Sequence, residues 1–392
     1  MPNTDNTKKF ISLRRLEDFK TLLDDEIDSK LEKVDSKFNV QFTQSDQLEN
    51  ITSGENISTS FGKLSKWYGE INKKIETEAT YADVEALFNN FKFQGTSSFT
   101  LGTMNGGKWD GTVEYSTDLS TWETWDGTTT LSSGEGNVLY LRGKNNTRFA
   151  TSLTNFTKFV FTTTGTITCN GDIRRLLDYE NPENTTMANY CYYRMFNDCT
   201  SLTKAPELPA TTLASYCYRQ IFWGCTSLIE APELPATTLA SSCYYGMFTG
   251  CTSLTKAPEL PAITLTSYCY YCMFQGCTSL TKAPELPATT LAGSCYSNMF
   301  KACTSLTTLI ALPVTKLVEH CYEGMFQGCT NIKVSTTQVD EYQTSYRIPT
   351  TGTGTTATGA MLYMFTETGG TFTGTPTINT TYYTSNTVVS AS

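Results

Sequence analysis

Residues 251–276 read CTSLTKAPELPAITLTSYCYYCMFQG, and the same 26-residue pattern recurs on both sides. Cys199, Cys225, Cys251, Cys277, Cys303 and Cys329 form one register, and Cys191, Cys217, Cys243, Cys269, Cys295 and Cys321 form a second, offset by eight. Twelve of the 14 cysteines therefore obey one lattice. Leu202, Leu228, Leu254, Leu280, Leu306 and Ile332 follow the first register by three residues. A fixed period of this size marks stacked supersecondary units that bury their apolar sides only against one another.

Within residues 251–276, Leu254, Ala257 and Leu260 are expected to point inward from an extended segment that Pro258 and Pro261 keep from becoming helical. Thr264 is read as the cap of a short helix, with Leu265, Cys269 and Met273 four apart on one face, Tyr270 and Phe274 beside them, and Gly276 ending it. Each unit is thus expected to be a short strand plus a short helix. Six units at ~4.8 Å per parallel strand give an array roughly 25 Å long.

Stacking sets every cysteine beside its equivalents, at a spacing that could admit disulfides. Core filling by free thiols is the preferred expectation, since a free cysteine behaves as a small hydrophobe. Side chains outside the core would carry recognition: Thr203, Lys204, Glu207, Ile229, Glu230, Glu233, Thr255, Lys256, Glu259, Thr281, Lys282 and Glu285 are expected to project outward in rows. Such rows could match a periodic ligand, or could simply be a duplicated solvated face.

The flanks differ in composition. Residues 1–95 hold 13 basic and 17 acidic side chains, whereas residues 336–392 hold only Asp340, Glu341, Arg347 and Glu367. Apolar spacings of three and four from Leu16 to Phe38, from Phe61 to Ile75 and from Val84 to Phe91 predict helices, as an attachment segment at 1–45 and a stalk or oligomerisation segment at 46–92. They could pack on their own domain or self-associate; three narrow stripes with no strand-rich region of matching size nearby to cover favour self-association.

Residues 93–166 are rich in Thr, Ser and Gly, with short alternating runs such as Thr112–Tyr115 and Val138–Arg142 between Asp-Gly turns, and predict a small β-sandwich. Trp-Asp-Gly-Thr occurs at 109–112 and 125–128, and Trp109, Trp122 and Trp125 could stack on sugar rings or anchor turns in the core. The array proper spans 167–334. Residues 335–392 contain Met364-Phe365, 39 residues after Met325-Phe326, and suggest a degenerate seventh unit that covers the open end.

Chemistry-bearing patterns are few. The formal charge of −9 disfavours nucleic acid as a partner. His320, the one histidine, falls in the slot held by Tyr216, Ser242, Tyr268 and Ser294. Cys269 and Cys272 make a CxxC, but Cys269 belongs to the ladder, so no metal is expected there. No catalytic residues, cofactor, membrane span or secretory signal are expected.

Two resemblances extend this reading. The runs KKFISLRRLEDFKTLLDD and SGENISTSFGKLSKWYGEINKKI resemble N-terminal segments of bacteriophage tail and fibre proteins, which implies an elongated, often trimeric protein joined to other virion proteins through residues 1–92. The recurring MFxGCTSL and APELPATTLA resemble BspA-like leucine-rich repeats of gut Bacteroidetes and their phages, with NGDIRRLLDYENP at 170–182 in the place of an N-terminal cap. That family implies an α/β solenoid that binds host-cell surface protein or glycan without catalysis. Pro206, Pro232, Pro258 and Pro284 stand where commoner members have Ile or Thr, which puts strand pairing in doubt. The combined expectation is a head or tail fibre protein of the virion. A bacterial surface adhesin is the alternative, and a glycan-degrading enzyme the third reading.

Overall fold

The structure, a computed structural model, describes residues 90–104 and 106–390. The expected helices lie outside the described residues as far as residue 89; at Phe91, where the third was expected to end, the chain is not helical, and Lys92 begins a strand. The described residues belong to one compact unit.

The described part is β-rich, with 23% strand and 3% helix, the latter in short 3-10 turns, and it contains no α-helix. This overturns the expected α/β solenoid. Thr264 caps nothing; it sits in a parallel bridge with Thr290 of the next coil. Residues 267–276 instead form a ribbon of overlapping β-turns. The amides of Cys269, Tyr271, Met273 and Gln275 donate to the carbonyl three residues back, at 3.1–3.3 Å. Those of Tyr268, Tyr270, Cys272, Phe274 and Gly276 donate outward, to Gly293, Cys295, Ser297, Met299 and Lys301 of the next coil, at 2.8–3.1 Å. Alternate amides therefore close the turn and bind the neighbour, which satisfies the backbone without a helix.

Every fourth ribbon residue has a left-handed backbone: φ is +59° at Tyr268, +54° at Cys272 and +73° at Gly276. A right-handed helix holds φ near −63° throughout, whereas a type II turn needs a positive φ at its third position. The spacing of four in the sequence is thus the period of paired turns, and it puts Cys269, Met273 and Cys277 in one row and Tyr270 and Phe274 in the next. All five are buried.

Stacking turns these positions into ladders. Rings of Tyr192, Tyr218, Tyr244, Tyr270, Tyr296 and Tyr322 stack at centroid distances of 5.6–6.0 Å, with interplanar angles of 5–11°. The phenylalanines from Phe196 to Phe326 stack likewise, and Phe365 continues the row 5.9 Å beyond Phe326. Each such pair adds about 0.5–1.5 kcal/mol beyond its buried area. Fourteen cysteines are free and buried. Those of the first register also donate: the Sγ of Cys225, Cys251, Cys277, Cys303 and Cys329 lie 2.9–3.1 Å from the carbonyl oxygens of Phe196, Phe222, Phe248, Phe274 and Phe300 in the preceding coil. An alanine there would fill similar space but leave that second acceptor site empty.

Strand pairing within the array is slight. Lys204 pairs with Glu230 and Glu230 with Lys256 as single parallel bridges, and the prolines two residues after Lys204 and Lys256 stop them from lengthening. Lateral cohesion comes from the turn ribbons.

Both ends of the array are closed by β-structure. On the N-terminal side, β1 (Lys92–Gly95), β3 (Thr112–Ser116), β4 (Glu123–Thr124), β6 (Val138–Lys144), β8 (Ile167–Asn170) and β9 (Leu202–Lys204) form one sheet in the order β4-β3-β6-β1-β8-β9. A second sheet has the order β5 (Leu131–Ser132), β2 (Phe99–Met104), β7 (Lys158–Thr163). Phe93 of the first meets Phe159 and Phe161 of the second at 5.9 and 5.0 Å. Because β8 pairs in parallel with β9, the first strand of the array, sandwich and array share a sheet. They also share a core: Phe149 stacks on Tyr192, Phe159 packs on Phe196, and the Phe149 and Phe159 amides donate to the Cys191 and Met195 carbonyls of the first ribbon.

At the other end, the amides of Tyr322, Gly324, Phe326 and Gly328 donate to Ala360, Leu362, Met364 and Thr366, so residues 360–366 make a seventh ribbon. The chain then returns. Strand β13 (Thr381–Thr384) lies between β11 (Val334–Ser335) and β12 (Thr344–Arg347), and β14 (Thr387–Val389) pairs in parallel with β10 (Thr308–Ile310).

Candidate functional site

The outward rows are where the repeat places them. Lys204, Glu207, Glu230, Glu233, Lys256, Glu259, Lys282 and Glu285 are all exposed. Parallel bridging brings Lys204, Glu230 and Lys256 into one row. Glu207 is joined to the N-terminal sheet through its bridge with Asp172. These side chains form a charged edge on a fixed backbone.

The tryptophans do not make an open platform, and this corrects their reading as a sugar-stacking cluster. Trp125 is 1% exposed, and its Nε1 donates to the Thr129 carbonyl at 2.8 Å. Trp109 packs on Trp125 at 5.4 Å and on Phe149 at 5.8 Å. Trp122 is half-buried under the Arg142 guanidinium, 4.0 Å from its ring, and the same guanidinium lies 4.3 Å from the Tyr179 ring. The second Trp-Asp-Gly-Thr copy is a turn anchor: Asp126 accepts from the Thr128 and Thr129 amides and hydroxyls, which holds its carboxyl well below the usual range, whereas Asp110 of the first copy accepts from the Thr147 amide and hydroxyl.

The structure adds a second set of outward groups, on the turn ribbon. Tyr190 and Tyr216 stack at 4.7 Å and 10°, and Tyr245 and Tyr271 at 4.6 Å and 23°. Between the two pairs, the Arg219 guanidinium covers the Tyr245 ring at 3.6 Å and approaches the Tyr216 ring at 5.7 Å. Tyr268, 44% exposed, leans on Tyr271. These residues occupy the variable places in the otherwise constant LAxxCYxxMFxG, which was the sequence cue to them.

The remaining reactive groups are muted. Burial pushes the thiols up: Cys321 reaches about 11 and Cys199, Cys272 and Cys329 about 12. Cys269 lies in the core ladder, and Cys272 occupies a left-handed ribbon position. His320 sits in the equivalent left-handed slot, at φ +53°, beside Glu319 and Glu323. Among the described residues, no group of three or more His, Cys, Asp or Glu side chains is arranged to hold a metal ion. Also among them, no helix is long and apolar enough to cross a membrane. Two open clefts, of about 200 and 190 Å³, lie beside Asn146 and Asp178 and beside Lys158 and Asp198. Both fall below the ~300 Å³ at which ligand pockets usually begin.

No protein-family model, no curated protein and no solved structure matches the chain.

Proposed function

We propose that this chain is a structural virion protein of a bacteriophage, of the head- or tail-fibre kind. It attaches through residues 1–92 to other virion proteins and displays its repeat surface to a component of the host cell. The observation that carries this reading is the way the array holds its outer side chains. Each ribbon is bonded to the next by alternate amides, both ends are closed by sheets, and the outward residues stand in fixed register. A pre-organised surface loses little side-chain freedom on binding, which is what a display protein requires. The N-terminal runs that resemble fibre proteins supply the attachment half of the proposal.

Antibodies raised against the array should decorate assembled particles in electron micrographs and slow their adsorption to cells. Antibodies that recognise the free protein yet leave intact particles bare would overturn the virion assignment.

A further inference from the structure

The repeats are nearly verbatim copies, so the places where they differ carry information. Measured against the first copy of TKAPELPATT, at 203–212, the next three copies differ at 3 of 30 positions: Ile229, Glu230 and Ile263. The core ladders from the Cys191 to the Cys199 register differ at one place in the same three repeats, Ile221 for Met195. The ribbon positions outside those ladders are the two residues before each Cys-Tyr, the two after it and the two after the Met-Phe. They differ at 14 of 18. Divergence is thus confined to one side of a solenoid whose other sides were copied almost unchanged.

A solvated face drifting without purpose would fill with Lys and Glu, the commonest exposed residues. In the first four coils 17 of these 24 positions are not buried; they contain neither, and their one acidic residue is Asp198. Five of the 17 are Tyr; Ser, Gly, Asn and Gln supply most of the others, with Arg194, Arg219 and Trp223. Part of the glycine is demanded by positive φ, as at Gly250 (+75°) and Gly276 (+73°). The tyrosines and the arginines have no such backbone reason. Tyr, Ser, Gly and Asn, with Trp or Arg at the energetic centres, is the composition of antibody combining surfaces, where rigid aromatic rings provide contact area at little entropic cost.

We infer that the turn-ribbon side of the first four coils, centred on Tyr190, Tyr216, Arg219, Tyr245, Tyr268 and Tyr271, is a diversified surface for a folded protein on the host cell. The Lys/Glu rows, which change only at Ile229, Glu230 and Ile263 over the same coils, are solvated surface outside it. A protein fits better than a glycan because the ring faces are taken. Tyr216 is covered by Tyr190 on one side and approached by Arg219, and Tyr245 lies between Arg219 and Tyr271. A pyranose cannot lie flat on those rings, whereas ring edges and hydroxyls can meet the side chains and backbone of a protein surface. This inference deepens the display reading proposed above and rests on it.

The test uses the full-length chain and intact cells of the bacterium to which the particles adsorb, untreated, trypsin-shaved or periodate-oxidised. Tyr216→Ser with Tyr245→Ser is compared with Lys256→Ala with Glu259→Ala. The serines already occur at the same slots, as Ser242 and Ser297, so the ribbon tolerates them. Thermal melts of both variants confirm folding. The serine pair should weaken binding at least about tenfold, as loss of interface aromatic anchors does, and the alanine pair less than about twofold. Shaving should abolish binding and periodate should spare it. Serine variants that bind like the parent, or binding lost to periodate and kept after trypsin, overturn the inference while leaving display intact. A parent chain that binds none of the cells overturns the display reading, and the inference with it.

Discussion

Between about pH 9 and pH 10 the array should unfold cooperatively, because the unfolded chain ionises its thiols near pH 8.5 while the folded one does not. All fourteen cysteines are buried, and burial holds even Cys321, the least displaced of those with a definite value, at about 11. In this window the folded state binds more protons than the unfolded state, so stability falls as pH rises. The loss begins at the unfolded thiol pKa and continues towards the raised folded values. Each thiol removes about 1.4 kcal/mol per pH unit above the unfolded value, hence roughly 2 kcal/mol at pH 10. Fourteen together exceed the 5–15 kcal/mol that usually holds a domain folded. The ladder tyrosines, also raised by burial, reinforce the effect above pH 10. Far-ultraviolet circular dichroism should collapse in step with the appearance of thiolate absorbance. Thiolate that builds up gradually while the circular dichroism stays native to pH 11 would contradict the buried ladders.

The second large effect concerns the rings. Phe248 lies between Phe222 and Phe274 at 5.8 and 5.6 Å and is fully buried. Phe248→Ala should cost about 3–5 kcal/mol, because coils held by alternate amides cannot close the gap by collapsing sideways. Tyr244, one row over, separates the ring from its polar group. Its hydroxyl has no protein partner, so Tyr244→Phe keeps the stack and should change stability by less than about 1 kcal/mol. Chemical denaturation of both variants reads the contrast. Equal losses would mean that the hydroxyls, not the stacked rings, hold the row.

How much of this was legible beforehand depends on which physical rule each residue obeys. The 26-residue period placed Leu254, Cys269, Met273, Phe274 and Cys277 in the interior, and all are buried, because burial follows from repetition whatever the backbone does between. The backbone itself was misread. Residues four apart share a face in a helix and also in a ribbon of paired turns, and periodicity alone does not separate the two. Gly276 looks like a helix-ending residue but is one of the three left-handed positions of its ribbon. Tyr268 and Cys272 occupy the others, where side chains rarely go and so gave no warning. The tryptophans were open in another way, since Trp125 beside an Asp-Gly turn reads as an exposed ring or, more readily, as a buried anchor, and Trp109 and Phe159 packed around it decide for the anchor. The pairing of β8 with β9 joins distant segments and leaves no local trace. The ribbon tyrosines were visible as variable letters in a constant phrase, yet only the fold shows that they share one side.

Native labelling of the thiols at neutral pH tests the stacked-ribbon account most directly. The intact chain, exposed to a small thiol reagent and analysed by intact-mass spectrometry, should stay unmodified over hours and take up fourteen labels once denaturant is added. Rapid uptake of several labels by the native chain, or of fewer than fourteen after denaturation because pairs have formed disulfides, would contradict it.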